Sequence, residues 1–272
     1  MSLMSVLSPS TSASVPKSLS PTVFPILGAI PSLVHGVFGR DGGVSRPPYD
    51  SLNVAWTNGD QPVAVRENLR RVKDWLGVDE LLAAPQIHGD TIHIIDEASL
   101  PPVDPHLPVR ITAPADALVT RLRGVGLLIK VADCQAVFLV DPVRQVVANV
   151  HCGWRGSVQG ILGKVVALLE RRFQSRAVDL LATISPSLGP CCAEFRNYHR
   201  ELPPFFLPFK IGDNHFDFWA ISRWQLEQAG LRPEHIEGPT HCTVCGADRI
   251  FSDRAEKVTG RMAAVVGWTC GA

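Results

Sequence analysis

The sequence predicts a layered α+β domain, and three observations carry this prediction. Residues 117–151 contain four short apolar runs separated by turn residues, which is typical of strands packed side by side. Residues 62–76 and 157–173 carry apolar side chains at helical spacing on either side of these runs. Residues 261–268 form another apolar run, which indicates a final strand. Strands crowded together, with helices before and after them, form sheets that helices cover.

The beginning of the chain differs in composition from the rest of its 272 residues. The first 22 residues are rich in Ser, Pro and Thr and include one Lys and no Arg. Prolines interrupt every apolar stretch that could serve as the centre of a secretory signal. We therefore predict a mobile tail at residues 1–33 and a single catalytic domain at residues 34–272.

The first elements of the predicted domain are a loop, a helix and a strand. Residues 40–48 are rich in Gly and Pro, which is typical of a loop. Residues 62–76 predict a helix, with Asp60 as its N-terminal cap and Gly77 as its stop signal. Residues 91–96 predict a strand.

The central strands are predicted at residues 117–120, 125–131, 136–141 and 146–151. Their nearly continuous hydrophobicity indicates burial on both faces. Residues 157–173 then predict an amphipathic helix, which Gly160 and Gly163 weaken locally. A shorter helix is predicted at residues 222–229, ended by Gly230, and the last strand at residues 261–268. Cys134 lies between two central strands and His151 ends another, so both side chains can converge on one point.

Charge and composition exclude several classes of partner. Lys plus Arg and Asp plus Glu both total 26, so no bulk charge favours nucleic acid or a membrane surface. No apolar run approaches the ~18 residues that a membrane span needs. The seven cysteines are an odd number and two are adjacent, which does not fit a secreted disulfide framework. We therefore predict a cytoplasmic protein, and we expect a monomer or weak homodimer.

Three separated segments each place a metal-binding residue type beside a turn, at His88, Cys134 and His151. Two imidazoles and one thiolate suit zinc, and three protein ligands leave one coordination position open, as in catalytic zinc sites. Zn²⁺ with one thiolate and two neutral imidazoles keeps a positive charge, so it can hold an anion such as phosphate or hydroxide. The segments are far apart in the chain, so spacing alone does not establish that they converge.

Eight motifs occur along the chain, at residues 39–45 (GRDGGVS), 51–53 (SLN), 86–89 (QIHG), 115–120 (ADALVT), 132–134 (ADC), 151–156 (HCGWRG), 189–192 (GPCC) and 259–263 (TGRMA). Their order is typical of the YfiH/laccase-domain family, which the chain resembles over about residues 35–268. Together the motifs are highly specific. Four positions depart from the family's usual pattern, whereas the three expected metal ligands match it. The departures are Val131, Gln135, Cys152 and Asp253.

The resemblance implies a zinc site at His88, Cys134 and His151 and a purine nucleoside phosphorylase activity. The substrates that it implies are phosphate and adenosine, inosine, guanosine or methylthioadenosine, with adenosine deamination as a companion activity. It also implies a four-layer αββα sandwich of the YfiH-like type, a fold shared with a group of cysteine hydrolases. Zinc would bind and orient the phosphate, and good alignment of two reactants supplies ~7 kcal/mol or more of barrier reduction.

Residues beside the expected ligands are candidates for catalysis and substrate binding. Asp133, next to Cys134, is either a general acid for the departing purine or a turn residue that orients a ligand histidine. Arg155 is either a phosphate clamp with its planar guanidinium or a member of an ordinary surface ion pair. Weaker candidates for contact with phosphate or ribose are Arg46, Ser51, Asn53 and Arg254.

Three other functions stay open. A metal-free hydrolase would use Cys134 as nucleophile and His151 as its base, on an amide bond such as one in a cell-wall precursor. A zinc protein without enzymatic activity would act through a partner. A copper oxidase is disfavoured because the chain has nine histidines and no His-x-His pair, although Cu²⁺ can outcompete zinc at N/S sites in vitro.

A second group of possible ligands lies near the end of the chain. His235, Glu237, Cys242 and Cys245 imitate a zinc deaminase signature, but His241 stands where that signature requires Pro. The two cysteines could also form a redox pair or half of a structural zinc site. No second pair with matching spacing exists, so we expect reduced cysteines near a turn.

Overall fold

The structure is a computed structural model that describes residues 18–270. The strands are β1 (Leu33–Phe38), β2 (Glu80–Ala83), β3 (Ile92–Ile95), β4 (Arg110–Ile111), β5 (Ala117–Thr120), β6 (Val125–Val131), β7 (Gln135–Asp141), β8 (Val146–Cys152), β9 (Leu181–Ile184), β10 (Lys210–Ile211), β11 (His215–Phe216), β12 (Ile236–Glu237) and β13 (Met262–Trp268). The α-helices are α1 (Pro25–Gly28), α2 (Pro62–Leu76), α3 (Trp154–Gln159), α4 (Ile161–Phe173), α5 (Tyr198–Glu201), α6 (Phe218–Gln228) and α7 (Asp253–Glu256). Within residues 18–270, none of these helices has both the length and the apolar character that crossing a membrane requires.

Two large mixed sheets form the centre of the molecule. The five-stranded sheet has the order β1-β13-β6-β2-β4, and the six-stranded sheet has the order β12-β9-β7-β8-β5-β3. Each sheet combines antiparallel and parallel pairs of neighbouring strands. The parallel pairs include β2 with β6 in the five-stranded sheet and β3 with β5 in the six-stranded sheet. The chain passes from the first sheet to the second directly between β6 and β7. The turn at that passage carries Cys134.

Apolar cores lie on both faces of each sheet. Leu127 and Ile129 of β6 belong to the core between the two sheets, whereas Leu128 belongs to the core that includes Leu69 of α2. This alternation follows the strand period of two, which sends successive side chains to opposite faces. The outer face of the six-stranded sheet packs against α4, for example through Val165. The structure therefore confirms the predicted α+β class and the burial of the central strands on both faces.

Most of the predicted elements occur at the predicted places. The helix at residues 62–76 and the strands at residues 117–120 and 125–131 are confirmed to the residue, and Gly77 ends the helix in the left-handed conformation. The expected cap is wrong, because Gln61 occupies the cap position and makes no side-chain cap bond. The helix predicted at residues 157–173 is two helices, because Gly160 has φ of 71° and turns the chain between them.

Part of the segment predicted as a tail belongs to the folded domain. Thr22 bridges to Val37 of β1, and the side chains of Phe24 and Leu27 are buried in the core between the sheets. Pro25 opens helix α1, where its missing N–H costs nothing. A boundary at residue 34 therefore lies too far along the chain. The part of the tail prediction that concerns residues 1–17 lies outside the described residues.

Candidate metal centre

The structure brings His88, Cys134 and His151 together, and one ligand atom from each lies within 4.8 Å of the others. His88 lies in the loop between β2 and β3, Cys134 in the turn between β6 and β7, and His151 near the end of β8. The two imidazole rings have centroids 4.8 Å apart and stand nearly perpendicular, at 81°. Three elements that are distant in the chain thus present two nitrogens and one sulfur to a common point.

The backbone around this point adopts left-handed conformations, which residues other than glycine rarely adopt. His88 has φ of 58° and Asp133, next to Cys134, has φ of 86°. Such left-handed residues cost of order 1 kcal/mol each and persist where the surroundings impose them. Gly153 leaves room for the cluster, because a Cβ at that position would lie 2.9 Å from the Cys134 sulfur. The turns are therefore shaped around the three ligand side chains.

Asp116 fixes the orientation of both histidines. Its side chain is fully buried, and its Oδ1 lies 2.8 Å from Nδ1 of His151 and accepts the backbone N–H of His88 at 2.9 Å. Its Oδ2 accepts the backbone N–H of Gly89 at 2.7 Å. A proton held on Nδ1 by this carboxylate leaves the lone pair of the other ring nitrogen free for a metal. The carboxylate thus selects the tautomer of His151 and anchors the loop of His88.

The electrostatics of the cluster favour a thiolate. Burial alone raises the pKa of the Cys134 thiol, but the neighbouring His151 and His88 outweigh it and lower that pKa to about 6. Burial likewise lowers the pKa of His151, but the Cys134 thiolate and the Asp116 carboxylate raise it to about 9. For Asp116, burial opposes ionisation, and the hydrogen bonds from His151 and Gly89 lower its pKa nevertheless. Both pKa shifts favour the charged form of each residue, and a cation bound between them would take the place of the imidazolium proton.

The donor set fits zinc better than a group of copper ions. One thiolate and two imidazoles with one open side match the ligands of catalytic zinc sites. In such sites, the ring nitrogen that does not bind the metal is held by a hydrogen bond to a neighbouring group, as Asp116 holds Nδ1 of His151. Among residues 18–270, the groups that could hold a metal are this cluster and one of four cysteines. The three-ligand cluster offers a single ion position, which does not fit a multicopper centre.

A cavity of about 790 Å³ opens beside the three ligands. Four cationic side chains line it, as do aromatic rings from several elements. The cations are Lys130, Arg155, Arg254 and Arg261. The rings are those of Trp56, Trp154, Phe195 and Phe218. The cavity thus combines charges that suit an anion with flat apolar surfaces that suit a heterocycle.

Asp133 lines the cavity, but its carboxylate is committed to hydrogen bonds. Oδ1 accepts the hydroxyls of Thr243 at 2.6 Å and Ser252 at 2.7 Å, and Oδ2 accepts the backbone N–H of Arg254 at 2.7 Å. Three donors converge on this group, which matches the acceptor-only character of an ionised carboxylate. The ligand histidine is oriented by Asp116, not by Asp133. The geometry favours a positioning role for Asp133 over that of a proton donor.

The other predicted site residues divide into two groups. Arg155 and Arg254 line the cavity, and the guanidinium of Arg155 lies 4.6 Å from the ring centroid of Trp154. Arg46 is exposed and is not among the lining residues. Ser51 and Asn53 are also outside the lining. Ser51 donates to the carbonyl of Arg40, and the buried Asn53 side chain accepts the N–H of Arg261 at 2.8 Å. Their polar atoms therefore support the loops around the cavity instead of pointing into it.

Three residues of this site were missed by the reasoning from sequence. Asp116 precedes β5, and the pairing of β5 with β8 places it beside His151, whose N–H donates to the Asp116 carbonyl at 2.7 Å. Lys130 interrupts the apolar pattern of β6, and its ammonium lies 3.5 Å from the ring centroid of Trp56. Burial lowers the pKa of Lys130 to about 8. Arg261, directly before β13, also lines the cavity. Lys130 could have been identified from the sequence, because it is a charged residue inside a strand that is otherwise apolar.

Comparisons with known proteins extend over nearly the whole chain. Residues 34–269 match the family model described as "Multi-copper polyphenol oxidoreductase laccase". "Purine nucleoside phosphorylase YlmD" of Geobacillus stearothermophilus is 31% identical over 252 residues, covering 87% of this chain and 92% of that protein. "Purine nucleoside phosphorylase Cgl2154/cg2365" of Corynebacterium glutamicum is 35% identical over 233 residues, covering 84% and 91%. The crystal structure of YlmD from G. stearothermophilus has a TM-score of 0.80 at 29% identity, covering 93% of this chain and 97% of that one.

Proposed function

The chain belongs to the YfiH/laccase-domain family, and from this membership we propose that it is a zinc-dependent purine nucleoside phosphorylase. The observation that carries the proposal is the convergence of His88, Cys134 and His151 beside a cavity of about 790 Å³. The names of the relatives supply the reaction, and the cavity has the charges and rings that this reaction needs. Adenosine deamination is included in the proposal as a companion activity.

We assign the metal to the three converging ligands. When bound there, Zn²⁺ would supply positive charge and an open coordination position for phosphate. Asp116 would keep His151 in the tautomer that can bind the ion. Cys134 would enter as a thiolate, since its pKa of about 6 lies below neutral pH. Of the three, His151 is buried, Cys134 is half-buried and His88 is exposed, so an ion can reach the site from the side of His88.

The cationic side chains of the cavity would bind the phosphate. Arg155 has no described carboxylate within ion-pair distance, so its guanidinium is available to an anion, whereas Arg261 pairs with Asp253 at 2.8 Å. Lys130 is largely protonated at neutral pH and sits in a partly desolvated position, where a charge attracts an anion more strongly than in water. These residues would hold the phosphate next to the sugar carbon that it attacks.

The aromatic rings would bind the purine. Phe195 and Phe218 have centroids 5.0 Å apart, and Trp154 meets Phe195 edge to face at 6.2 Å. These rings pack against one another as one apolar cluster, and the base would bind on the side of that cluster that lines the cavity, where apolar contact removes it from water. Displacement at one carbon requires that phosphate and base lie on opposite sides of the ribose.

Asp133 enters the proposal as a positioning residue. Its carboxylate binds the backbone N–H of Arg254 and the hydroxyls of Thr243 and Ser252, so it fixes the loop that presents Arg254 to the cavity. The proton or hydrogen bond that the departing purine needs would come from a group not already engaged in this way.

The proposal also includes the finer architecture that the resemblance implied. Helix α2, the five-stranded sheet, the six-stranded sheet and the pair α4 and α6 follow one another as packed layers. We propose that this order is the four-layer αββα sandwich of the YfiH-like type.

A direct test follows inosine and adenosine with and without phosphate, measuring free base and ammonia. We expect release of free base that depends on phosphate, and loss of both zinc and turnover in Cys134→Ala. Cys270→Ser is the matched control, because Cys270 is exposed and contacts Asp79 away from the cavity. Turnover that persists in a zinc-free Cys134→Ala protein would falsify the metal mechanism.

One observation favours a second function. Cys134, His151 and Asp116 form a chain of thiolate, imidazolium and carboxylate, the arrangement that metal-free cysteine hydrolases use. A chelator separates the two functions. Removal of zinc would abolish phosphorolysis, whereas it would free the thiolate for attack on an amide bond and raise hydrolase activity.

A further inference from the structure

Four cysteines meet at a second place in the molecule, outside the three-ligand cluster. The sulfur atoms of Cys191, Cys192, Cys242 and Cys245 all lie within 4.8 Å of one another. In the sequence, Cys242 and Cys245 could form half of a metal site, but the chain has no second pair of cysteines with the same spacing. The fold supplies the other half from two adjacent cysteines, because residues 190–192 form a turn. In an extended strand the two side chains would point to opposite faces.

The distances between the sulfurs fit a shared metal better than disulfide bonds. Cys245 Sγ lies 3.6 Å from the sulfur of Cys191 and 3.6 Å from that of Cys192. A disulfide requires about 2.05 Å, and all of these cysteines are free. Zinc with four thiolates at about 2.3 Å in tetrahedral geometry places neighbouring sulfurs about 3.8 Å apart. The observed sulfur separations are therefore close to those around a zinc ion.

The backbone around the cluster is already organised for thiolates. Ser187 forms a β-bridge with Cys242, and the backbone N–H of Gly189 points to the Cys242 sulfur at 3.3 Å. The turn after Cys242 closes with a bond from Gly246 N–H to the Cys242 carbonyl at 3.0 Å. The Gly189 N–H stabilises negative charge on the Cys242 sulfur. Cys242 is 8% exposed, whereas Cys191 and Cys245 are exposed, so an ion can enter from solvent.

We propose that Cys191, Cys192, Cys242 and Cys245 form a second zinc site that is structural. Four protein ligands leave no open coordination position, which is the property of structural zinc sites. The ion would join the segment around residues 187–195 to the segment around residues 241–254. The β-bridge between Ser187 and Cys242 already joins these segments, and a shared ion would fix them further.

This second site would support the cavity without touching the substrate. Thr243, between two of the cysteines, donates to Asp133 at 2.6 Å. Glu194, which follows the adjacent pair, accepts a hydrogen bond through its carbonyl from the Arg254 side chain at 3.2 Å. Loss of the ion would release both contacts. Arg254 would then lose its fixed position at the cavity wall, so phosphate affinity would fall while the first zinc stays bound.

The test is the zinc content of the full chain purified under reducing conditions, measured by mass spectrometry of the metal. We expect two zinc ions per wild-type chain, one in Cys245→Ser, one in Cys134→Ala and two in the control Cys270→Ser. X-ray absorption of Cys134→Ala reports only the remaining ion and should show sulfur alone in its first shell. This measurement leaves the four cysteines intact, so it stands even if Cys245→Ser fails to fold.

Two results would overturn the proposal. One is a single zinc per reduced wild-type chain, with no zinc left in Cys134→Ala. The other is a Cys245→Ser protein that is folded and still binds two ions. Neither result bears on the three-ligand centre, because zinc bound by His88, Cys134 and His151 would remain in Cys245→Ser. Failure of this proposal is therefore distinguishable from failure of the proposed function.

Discussion

Replacing Asp116 by asparagine changes the group that orients both histidines, with almost no change of volume. The carboxylate accepts three strong hydrogen bonds, from His151, His88 and Gly89. An amide has one acceptor oxygen and one donor nitrogen in place of two acceptors. If the oxygen faces His151 and His88, the NH₂ group faces the N–H of Gly89. If the amide is turned, the NH₂ group faces His151 and His88 instead.

Each orientation leaves at least one partly buried backbone N–H, that of His88 or of Gly89, without its acceptor. Such a loss costs about 1–3 kcal/mol, and 1.4 kcal/mol corresponds to a factor of ten in an equilibrium. The turned amide also favours the wrong tautomer of His151, with the proton on the nitrogen that the metal needs. Changes to such outer contacts typically weaken metal binding about 10–100-fold. We therefore expect zinc affinity of Asp116→Asn to fall by about that factor.

The assay is competition for zinc with a chromophoric chelator, on protein whose fold is verified by circular dichroism. Asp141→Asn is the matched control, because Asp141 is also buried but accepts bonds from Val143 and Arg144 in a distant turn. We expect the control to lose stability without losing zinc affinity. Equal affinities in wild type and folded Asp116→Asn would refute the argument that this carboxylate orients the ligands.

Three further changes test other parts of the site. Gly153→Ala would place a Cβ 2.9 Å from the Cys134 sulfur, so we expect loss of zinc with the fold retained, as measured by metal content and melting temperature; retention of zinc would contradict the steric argument. Lys130 has a pKa that burial lowers to about 8, so it loses its proton as pH rises through that value. We therefore expect KM for phosphate to rise from about one pH unit below that pKa to about one unit above it, that is, between about pH 7 and pH 9. Lys130→Arg should remove that rise, because arginine stays protonated, and an unchanged pH profile would contradict the role of Lys130. Arg155→Ala should raise KM for phosphate about tenfold or more with smaller change in KM for the nucleoside, and equal effects on both would point to damage of the whole cavity.

Local patterns in the sequence predict helix α2 and the central strands, but they do not predict strands β1, β2 and β9. The helix at residues 62–76 has apolar residues at helical spacing and a glycine stop, so its limits follow from rules that act within a few residues. The break at Gly160 is different, because a glycine inside a helical pattern is compatible with an unbroken helix. Packing of α3 and α4 against the sheet decides that conformation. The burial of Phe24 and Leu27 likewise depends on a surface that no local pattern reveals.

Reasoning from the sequence selects the residue types of the site but not the contacts that strand pairing creates. His88, Cys134 and His151 can be proposed as ligands because their chemistry suits zinc and each lies beside a turn, and the structure brings the three together. Asp116 is not, since its role depends on the register between β5 and β8, in which Ala117 pairs with Val150. The four-cysteine cluster could not be predicted either, because adjacent cysteines in a turn do not have the spacing of a familiar zinc motif.

The most direct test of the account is diffraction from crystals of the full chain, with anomalous data collected on both sides of the zinc edge. We predict a zinc peak about 2.0–2.1 Å from one nitrogen each of His88 and His151 and about 2.3 Å from the sulfur of Cys134. Crystals of zinc-replete protein with no peak between these three atoms, or with the three side chains turned away from one another, would contradict it.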